Sequence, residues 1–372
     1  MSEHHLHIIS FDIPFPADYG GVVDIYNRIR ALSESGLKIH LHCFEYGRKR
    51  SEELSELCFS VRYYKRKTSK INLFSTLPYI VVSRQNDELI NNLLLDDFPV
   101  LMEGIHSTFY ISDKRLQGRK LIVRSHNIEH EYYHHLSKIE TNLFKKWYFK
   151  SEASKLKKYE LVLKNASTIA AISPDDSLYI KNNYNNGFYL PAFHGNDEVK
   201  CLPGRGTYAL YHGNLSVGEN NSAALFLIRV FSKIECQLII AGNNPSAELM
   251  ALASNYKNIQ IAINPRVDEM QQLIQSAQVN ILPTFQSTGI KLKLINALFN
   301  GRFCIVNPPM IKNTGLESLC LIKDTESDMR SALEEIFKKE FSIADIEKRN
   351  EVLLKDFDNK VNAQRLIEAL GF

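Results

Sequence analysis

Residues 282–301 read LPTFQSTGIKLKLINALFNG and comprise a strand end, a polar turn and the start of a helix. The apolar pattern at 279–282 predicts a buried strand that leads into this stretch. Beyond the turn, apolar residues recur at helical spacing at Leu292, Ile295 and Leu298. A strand that passes through a short turn into a helix is the repeating step of a parallel α/β sheet.

The start of that helix has the features of an anion site. Its first backbone amides lack partners within the helix, and the helix dipole places partial positive charge there. Gly289 permits close backbone approach, while Lys291 and Lys293 add mobile positive charge. The pattern predicts a site for a phosphate or a diphosphate. A strand-to-helix turn with two solvated lysines is the alternative interpretation.

A second glycine-bearing loop lies near the start of the chain. The buried-strand pattern at 7–11 is followed by Gly20 and Gly21, by an amphipathic helical pattern and by another strand pattern at 38–44. This order predicts a strand, a glycine-rich loop, a helix and a strand, with the loop at the carboxyl end of the first strand. By itself such a loop is weak evidence for a ligand.

Length and composition are those of a globular protein with two domains. A chain of 372 residues exceeds the size at which one hydrophobic core keeps growing. Hydrophobic residues make up 44% and charged residues 23%, which is typical of soluble proteins. No apolar run is long enough to predict a spanning helix, and MSEHHLHIIS lacks a signal-peptide pattern. We therefore expect a cytoplasmic protein.

The cysteines and the net charge exclude other classes of function. A net charge of +3 is too small to predict nucleic-acid binding. The six cysteines show no CxxC spacing, which predicts thiols of a reducing compartment, mostly buried, rather than disulfides or a zinc site. They are Cys43, Cys58, Cys201, Cys236, Cys304 and Cys320.

Positive charge concentrates in three segments, at 48–50, 65–70 and 145–158. Aromatic residues lie within or beside these segments, and a surface of this kind could contact anionic lipid headgroups. A plain solvated face is the commoner origin of such a pattern. The aromatic residues are Tyr63, Tyr64, Trp147, Tyr148 and Phe149.

Strand patterns alternate with helical patterns through most of the chain, which predicts parallel sheets covered by helices on both faces. The alternation lapses at 182–207, where Asn, Gly and Pro concentrate, and this stretch predicts the linker between two domains. The predicted strands are 7–11, 38–44, 60–64, 100–103, 120–124, 168–172, 209–212, 237–241, 259–263, 279–282 and 303–306.

Four segments together resemble a known family of enzymes. They are PFPADYGGVVDIYNRIRALSESG at 14–36, LIVRSHNIEHEYYHHL at 121–136 with the segment at 151–176, YHGNLSVGENNSAALFLI at 211–228, and QSTGIKLKLINALFNGRFCIVN at 286–307. In order and spacing they are similar to the retaining glycosyltransferases of the GT-B fold, the group of sugar-nucleotide-dependent mannosyl-, glucosyl- and N-acetylglucosaminyltransferases. The resemblance covers nearly the whole chain.

The resemblance implies the α/β fold of two facing, Rossmann-like, doubly wound domains with a cleft between them. The acceptor-side domain would cover residues 1–190, a linker 191–206 and the sugar-nucleotide domain 207–354. Residues 355–372 would form a helix that returns to the N-terminal domain. We expect this helix to act as hinge and latch between the two halves.

The resemblance also assigns site residues. His126 matches the family histidine near the reacting sugar, with a purely structural histidine as the alternative. Arg124, Asn127 and Glu129 share its loop on the acceptor side, where Glu129 would bind an acceptor hydroxyl or cap the next helix. Donor contacts are implied for Gly20, Gly21, Gly213, Asn214, Gln286, Thr288, Gly289, Lys291, Lys293 and Asn296.

The implied reaction is transfer of a hexosyl-type sugar, with retention, from a nucleotide sugar to a surface glycan or lipid-linked acceptor. The nucleotide sugar is a co-substrate, and neither a cofactor nor a metal ion is expected, because no DxD motif ends a strand. The adjacent acids Asp96–Asp97 and Asp175–Asp176 are interpreted as turns or caps. Expected partners are the donor, the acceptor and, peripherally, the inner membrane face, but no nucleic acid.

The donor site departs from the family pattern. Many members carry one glutamate before the donor helix and another inside it, where this chain has Gln286 and Asn296. The family's basic residues after the first loop of the sugar-nucleotide domain are replaced by SVGENN, and Lys291 and Lys293 could supply that charge instead. A catalytically silent GT-B domain that serves as a binding partner is therefore an alternative, and sugar-nucleotide epimerisation is a third.

Overall fold

The computed structural model of the protein describes residues 3–285 and 291–372. The chain divides into two compact units. The N-terminal unit contains Met1–His194 together with Asn359–Phe372, and the C-terminal unit contains Gly195–Asp358. The chain thus enters the second unit near the start of the predicted 191–206 linker. It returns to the first unit a few residues after position 355.

The N-terminal unit is built on a parallel sheet of seven strands in the order β3-β2-β1-β4-β5-β6-β7. Its central strands are buried along nearly their whole length, as expected for a parallel sheet covered on both faces. The strands are β1 His5–Ser10, β2 Lys38–Glu45, β3 Ser60–Lys65, β4 Val100–Glu103, β5 Leu121–Ser125, β6 Thr168–Ala171 and β7 Gly187–Tyr189.

Helices cover both faces of this sheet and bury apolar stripes against it in two main clusters. They are α1 Gly20–Glu34, α2 Glu52–Leu57, α3 Tyr79–Val82, α4 Asp87–Leu93, α5 Glu129–Ile139, α6 Leu143–Tyr159 and α7 Pro174–Tyr184. Short 3₁₀ helices lie at Lys70–Phe74, Ile105–Ser107, Lys114–Leu116 and Glu160–Asn165.

The C-terminal unit contains a second parallel sheet, of six strands in the order β10-β9-β8-β11-β12-β13. Its strands are β8 Tyr208–His212, β9 Gln237–Gly242, β10 Ile259–Ile263, β11 Val279–Leu282, β12 Phe303–Val306 and β13 Leu321–Ile322. Its helices are α8 Gly218–Phe231, α9 Ala247–Ala253, α10 Val267–Ser276, α11 Leu292–Asn300, α12 Pro308–Ile311, α13 Glu326–Ile336 and α14 Ile343–Asp356, with a 3₁₀ helix at Glu317–Leu319.

The final helix, α15 (Asn359–Leu370), is part of the N-terminal unit. Its apolar stripe of Ala363, Leu366 and Leu370 is buried in the same hydrophobic cluster as Ile25 and Ile29 of α1. The last turns of the chain therefore complete the core of the first unit, although they follow the second unit in sequence.

Each sheet has one switch point, where the order of the strands reverses. In the N-terminal unit it lies between β1 and β4, and in the C-terminal unit it lies between β8 and β11. In sheets of this kind, ligands bind at the carboxyl ends of the strands on either side of such a point. This rule directs attention to the loops after β1, β4 and β5 and to those after β8 and β11.

A row of histidines crosses β1 and β2. Because side chains alternate along a strand, His5 and His7 lie on one face of β1, and His40 and His42 lie on the same face of β2. His5 Nδ1 lies 2.9 Å from His40 Nε2, and His7 Nδ1 lies 2.8 Å from His42 Nε2. Asp96 contacts His7 Nε2 at 2.9 Å, so the row ends on a carboxylate.

The prediction of two Rossmann-like α/β domains is confirmed, and each of the eleven predicted strands is present to within two residues at either end. Two strands were missed, β7 and β13. The lapse predicted at 182–207 is therefore wrong over Gly187–Tyr189, which forms the edge strand β7. A strand of three residues is too short to show an alternating pattern.

Other sequence predictions concern the thiols and the membrane. All six cysteines are free thiols, four of them buried, as predicted, with Cys236 and Cys320 partly exposed. Within the described ranges, no helix combines the length and the apolar character that crossing a membrane requires.

Candidate functional site

His126 follows β5 directly, at the carboxyl edge of the sheet in the N-terminal unit. Glu103, the last residue of the neighbouring strand β4, lies beside it, with 3.0 Å between His126 Nε2 and Glu103 Oε2. Asp24 of α1 is on the other side of the ring, with 3.7 Å between His126 Nδ1 and Asp24 Oδ2. The imidazole is therefore held between two carboxylates.

Two buried arginines balance these carboxylates. Arg28 donates to Asp24 at 2.7 Å and to Glu103 at 3.2 Å. Arg124 donates to both oxygens of Asp24 at 3.2 Å. These four side chains have no exposed surface. We refer to Asp24, Arg28, Glu103, Arg124 and His126 as the buried ion network.

The network is strongly coupled electrostatically. Burial alone would raise the pKa of Asp24, but the guanidinium groups of Arg124 and Arg28 hold it well below its ordinary value. Burial likewise opposes the charge on Arg28, whereas Asp24 and Glu103 raise its pKa. Buried ions of opposite sign that bind one another fix the positions of neighbouring side chains. Loss of one ion leaves its partners buried without their counter-charge, which is destabilising.

The Nδ1 edge of the His126 ring, which faces Asp24, differs from the Nε2 edge in its hydrogen bonding. Nδ1 is buried and makes no hydrogen bond to any described residue. The ring of Phe11 meets His126 edge-on, with 5.5 Å between centroids. A Cβ atom on Gly21 would lie 2.9 Å from Phe11 Cζ, so the glycine at the start of α1 gives this phenylalanine its room. Phe11 and Gly21 therefore help to shape the surroundings of the imidazole.

The three predicted acceptor-side residues are placed differently from one another. Arg124 is fully buried, and it also donates to the carbonyl oxygens of Leu190 and Pro191, so it is an internal support rather than the acceptor contact we expected. Asn127 and Glu129 lie next to each other, with 3.5 Å from Asn127 Nδ2 to Glu129 Oε1. They line one narrow pocket with Ser125 and His130.

Glu129 is the first residue of α5, and burial raises the pKa of its carboxyl to about 7. Two further acids lie close to this pocket. Burial raises the pKa of Asp176 to about 6. Glu160 Oε2 accepts a hydrogen bond from the Tyr179 hydroxyl at 3.1 Å and lies 3.0 Å from His130 Nδ1. A carboxyl that titrates near neutral pH can accept or return a proton, which suits a group that faces a hydroxyl.

The described residues contain one group with the spacing of metal ligands. The ligating atoms of Asp24, Glu103 and His126 lie within 4.8 Å of one another. Both carboxylates already bind guanidinium groups, so a cation at this point would displace Arg28 and Arg124. Of the adjacent acids predicted as turns or caps, Asp96 shapes a turn, because it accepts from Phe98 N at 3.1 Å. Asp175 and Asp176 instead lie in the first turn of α7, whose cap is Ser173.

The second candidate site lies at the carboxyl edge of the sheet in the C-terminal unit. His212 ends β8, and Gly213 and Asn214 follow it. A Cβ atom on Gly242, at the end of β9, would lie 1.8 Å from the carbonyl oxygen of Gly213, so glycine is required for this close approach. Asn214 shapes the turn, because its Oδ1 accepts from Ser216 N at 3.1 Å.

Two lysines occupy the start of α11 in the same unit. Lys293 Nζ donates to Asn220 Oδ1 at 2.9 Å and lies 5.3 Å from the centre of the Tyr211 ring. Lys291 precedes the first residue of the helix, and its side chain does not cap that helix end. The nearby carboxylate of Glu219 accepts a hydrogen bond from Thr284.

The electrostatics of this site differ from those of the buried ion network. Burial lowers the pKa of Lys291 and of Lys293 to about 8, and the attraction of Glu219 only partly opposes the shift. Burial also lowers the pKa of His212 to about 3, with a contribution from Lys293. Two ammonium groups removed from water beside a helix N-terminus gain stability from a bound anion.

Of the other predicted donor residues in the C-terminal unit, the structure describes Asn296. Asn296 lies on α11, and its Oδ1 accepts from Asn300 Nδ2 at 2.9 Å. Gln286, Thr288 and Gly289 lie outside the described residues. The structure brings together at this edge the predicted residues Gly213, Asn214, Lys291 and Lys293, which follow β8 and β11.

Sequence reasoning missed the partners of these residues. Glu103 could have been found, because it ends a strand next to the switch point. Asp24 and Arg28 form an i,i+4 pair on the buried side of α1, a signal that the apolar stripe concealed. Glu219 and Asn220 lie within the segment SVGENN, which was examined only for the basic residues that it lacks.

Comparison with known proteins supports a function in sugar transfer. Residues 206–338 match the model of the family described as glycosyl transferases group 1. An uncharacterized 44.6 kDa protein in the cps region of Klebsiella pneumoniae is 26% identical over 339 residues, covering 83% of this chain and 84% of that protein. These matches do not favour the alternative of a silent binding partner.

Solved structures establish the fold along the whole chain. The lipopolysaccharide outer core galactosyltransferase WaaB, in its apo form, superposes with a TM-score of 0.64 at 14% identity, covering 99% of each chain. HepE of Anabaena, in complex with UDP and glucose, gives 0.66 at 9% identity, covering 99% of this chain and 100% of that one. The protein therefore has the GT-B fold, and its residues 206–338 match the family of group 1 glycosyl transferases.

Proposed function

We propose that this protein transfers a hexosyl-type sugar from a nucleotide sugar to a glycan or lipid-linked acceptor. The observation that carries the proposal is the pair of buried lysines, Lys291 and Lys293, at the start of α11 beside the switch point of the C-terminal sheet. Burial lowers the pKa of both ammonium groups, and the attraction of Glu219 opposes that shift only in part.

The donor diphosphate would bring negative charge to these two ammonium groups. Lys291, Lys293 and the first amides of α11 would bind it, and Gly213 and Asn214 would line the loop beside it. Asn296 would exchange hydrogen bonds with the ribose hydroxyls. Gln286, Thr288 and Gly289, together with Gly20 and Gly21 of the N-terminal unit, are proposed as donor contacts on the resemblance alone.

The same groups would assist departure of the nucleoside diphosphate. As the bond between the anomeric carbon and the diphosphate oxygen breaks, negative charge grows on that oxygen, and fixed positive charge stabilises it. This stabilisation needs no metal ion. His126, oriented by Glu103 and Asp24, would donate or accept a hydrogen bond to the sugar, and Glu129 would bind the acceptor hydroxyl. We propose retention of anomeric configuration.

The relative in the cps region and the similarity to WaaB support synthesis of a surface polysaccharide or glycolipid. Such acceptors are commonly built on a lipid. We therefore propose that the enzyme works in the cytoplasm, peripheral to the inner membrane face.

The test uses the intact protein in two stages. Thermal shift against a panel of UDP-, GDP- and dTDP-sugars identifies the donor, because a ligand at about 100 times its Kd stabilises by about 2.7 kcal/mol. Mass spectrometry then follows sugar transfer from that donor to oligosaccharide and lipid-linked acceptors. We expect His126→Ala to lower turnover about tenfold or more, equivalent to about 1.4 kcal/mol, with donor affinity nearly unchanged.

The matched control is His134→Ala, which changes an exposed histidine on α5 and should leave turnover unchanged. Donor binding without any sugar product across the acceptor panel would contradict the proposed transfer and favour a silent binding domain. Release of an altered free sugar without an acceptor would indicate epimerisation instead.

A further inference from the structure

The amino-terminal turns of α6 expose large apolar side chains to solvent. Leu143 is 79% exposed, Phe144 87% and Trp147 70%. Side chains of this size are normally buried, and each exposes apolar surface to water in the unbound protein. Three of them within two turns of one helix mark a surface that gains free energy when it is covered.

A second exposed apolar segment lies beside the carboxyl-terminal half of α6. In the 3₁₀ helix Lys70–Phe74, the side chains of Ile71 and Phe74 are 78% and 87% exposed. Lys155 of α6 donates to the carbonyl oxygen of Leu73 at 2.9 Å, which ties the two segments together.

The two segments lie on the same side of α6. Phe144 and Lys155 are about three helical turns apart in sequence, so their side chains project from nearly the same face of the helix. Because Lys155 reaches Leu73, that face is directed toward the 3₁₀ helix. We call Leu143, Phe144 and Trp147 with Ile71 and Phe74 the apolar rim.

Lysines surround the apolar rim. Helix α6 carries six lysines and one glutamate, Glu152, which is buried and already binds Lys155 and Tyr79 N. The other lysines of the helix are exposed, and within 3–285 and 291–372 none of them pairs with a carboxylate. They are Lys145, Lys146, Lys150, Lys157 and Lys158, and Lys65, Lys67 and Lys70 are exposed on the neighbouring segment.

We infer that the apolar rim and its lysines form a docking surface for a membrane that carries anionic lipids. The apolar tips would enter the boundary between headgroups and acyl chains, while the lysine ammonium groups contact the lipid phosphates. Charge complementarity selects this occupant: a second copy of the chain would bring the same excess of lysines to the interface and be repelled. The inference deepens the proposed peripheral placement of the enzyme.

The single tryptophan of the chain gives a direct test, because Trp147 lies on the apolar rim. Full-length protein is mixed with vesicles of phosphatidylglycerol and, separately, of phosphatidylcholine. We expect the emission of Trp147 to move to shorter wavelength, and the protein to cosediment, with phosphatidylglycerol only. No donor or acceptor is needed, so failure of sugar transfer and failure of membrane docking are seen separately.

Two variants separate the contributions of charge and of apolar contact. Lys145→Glu with Lys146→Glu should weaken binding to phosphatidylglycerol by about tenfold or more, since each lysine near such a surface contributes about 1 kcal/mol. Phe74→Ala with Phe144→Ala should reduce cosedimentation and the shift in emission. Leu178→Ala with Lys181→Glu, which changes an exposed apolar and an exposed basic residue on α7, should change neither.

Three results would overturn the inference. The first is the absence of any emission shift or cosedimentation with phosphatidylglycerol. The second is equal binding to both lipids, because the lysines would then have no part in it. The third is self-association of the lipid-free protein that the Phe74→Ala with Phe144→Ala variant abolishes, which would show that a second copy covers the apolar rim.

Discussion

The carboxyl edges of the two sheets treat charge in opposite ways. In the N-terminal unit, Asp24 and Glu103 bind Arg28 and Arg124, so the buried ion network is balanced within the protein. In the C-terminal unit, Lys291 and Lys293 are brought out of water with Glu219 as the carboxylate that attracts them. The first edge pairs its buried charges within the protein, and the second places two buried ammonium groups at the start of a helix.

This difference suits the two Rossmann-like units to different tasks, which are positioning a side chain and binding an anion. A balanced network holds a side chain in place, and His126 is the residue that it holds. Two buried ammonium groups at the start of a helix favour a bound anion, and the donor diphosphate is the anion that we propose. Changes at the charged groups that hold His126, such as Asp24, should therefore act mainly on stability, whereas changes at Lys291 and Lys293 should act mainly on ligand affinity.

The largest effect is expected from Asp24→Asn. Loss of this carboxylate leaves Arg28 and Arg124 buried with Glu103 as their remaining carboxylate partner, and breaking a buried ion pair from one side costs about 3 to 5 kcal/mol. Hydrogen exchange of the backbone amides of the N-terminal unit measures that loss, independently of the C-terminal unit.

Asp18→Asn is the matched control, because Asp18 pairs with Arg48 at the surface and such pairs contribute at most about 1 kcal/mol. If Asp24→Asn destabilised the N-terminal unit no more than Asp18→Asn does, the buried ion network would not be the support that the comparison requires.

The next effect concerns acid stability of the N-terminal unit. Burial lowers the pKa of His7 from about 6.5 to about 4, although Asp96 opposes the shift and Arg119 and His40 add to it. The unfolded chain binds this proton more readily than the folded one, so stability is fully present above about pH 6.5 and falls toward pH 4. The loss is about 3 kcal/mol from His7 alone.

Urea unfolding of the wild type and of His7→Gln, with hydrogen exchange as the probe, measures this effect at neutral pH and near pH 4.5. The variant should lose less stability than the wild type between the two conditions. His134→Gln, at an exposed position, should leave the pH dependence as it is. An identical acid response in wild type and His7→Gln would show that His7 is not the titrating group.

The fold was predicted well from sequence because each buried strand of a parallel sheet is a short, mostly apolar segment of consecutive residues. Buried strands such as 100–103 and 279–282 are mostly apolar, with Glu103 and Asn280 as their polar residues, and their positions were correct to the residue. The edge strands β7 and β13 contain three and two residues, too few to show any period. The two-domain α/β class thus follows from sequence, whereas the edges of the sheets do not.

The site was less predictable, because its chemistry depends on contacts between distant segments. His126 was predicted as a site residue from its motif, whereas its contacts Asp24 and Glu103 come from other elements of the chain. Arg124 shares the motif of His126, yet its side chain turns inward to Asp24. Lys291 and Lys293 were predicted as donor contacts because the helix start and the positive charge are adjacent in sequence, and that assignment stays a prediction.

The most direct test of the account is the affinity of the C-terminal site for a diphosphate. Calorimetric titration with UDP, GDP and inorganic pyrophosphate measures the free energy of binding. Lys291→Met and Lys293→Met should each weaken binding by about 1.5 to 3 kcal/mol, which raises Kd at least about tenfold. Lys257→Met, an exposed lysine of the same unit, should bind like wild type. Because both pKa values lie at about 8, wild-type affinity should fall as the pH rises through 8, and each variant should show a weaker fall. Unchanged diphosphate affinity in both variants, with the wild-type dependence on pH, would contradict the assignment of this edge as the donor site.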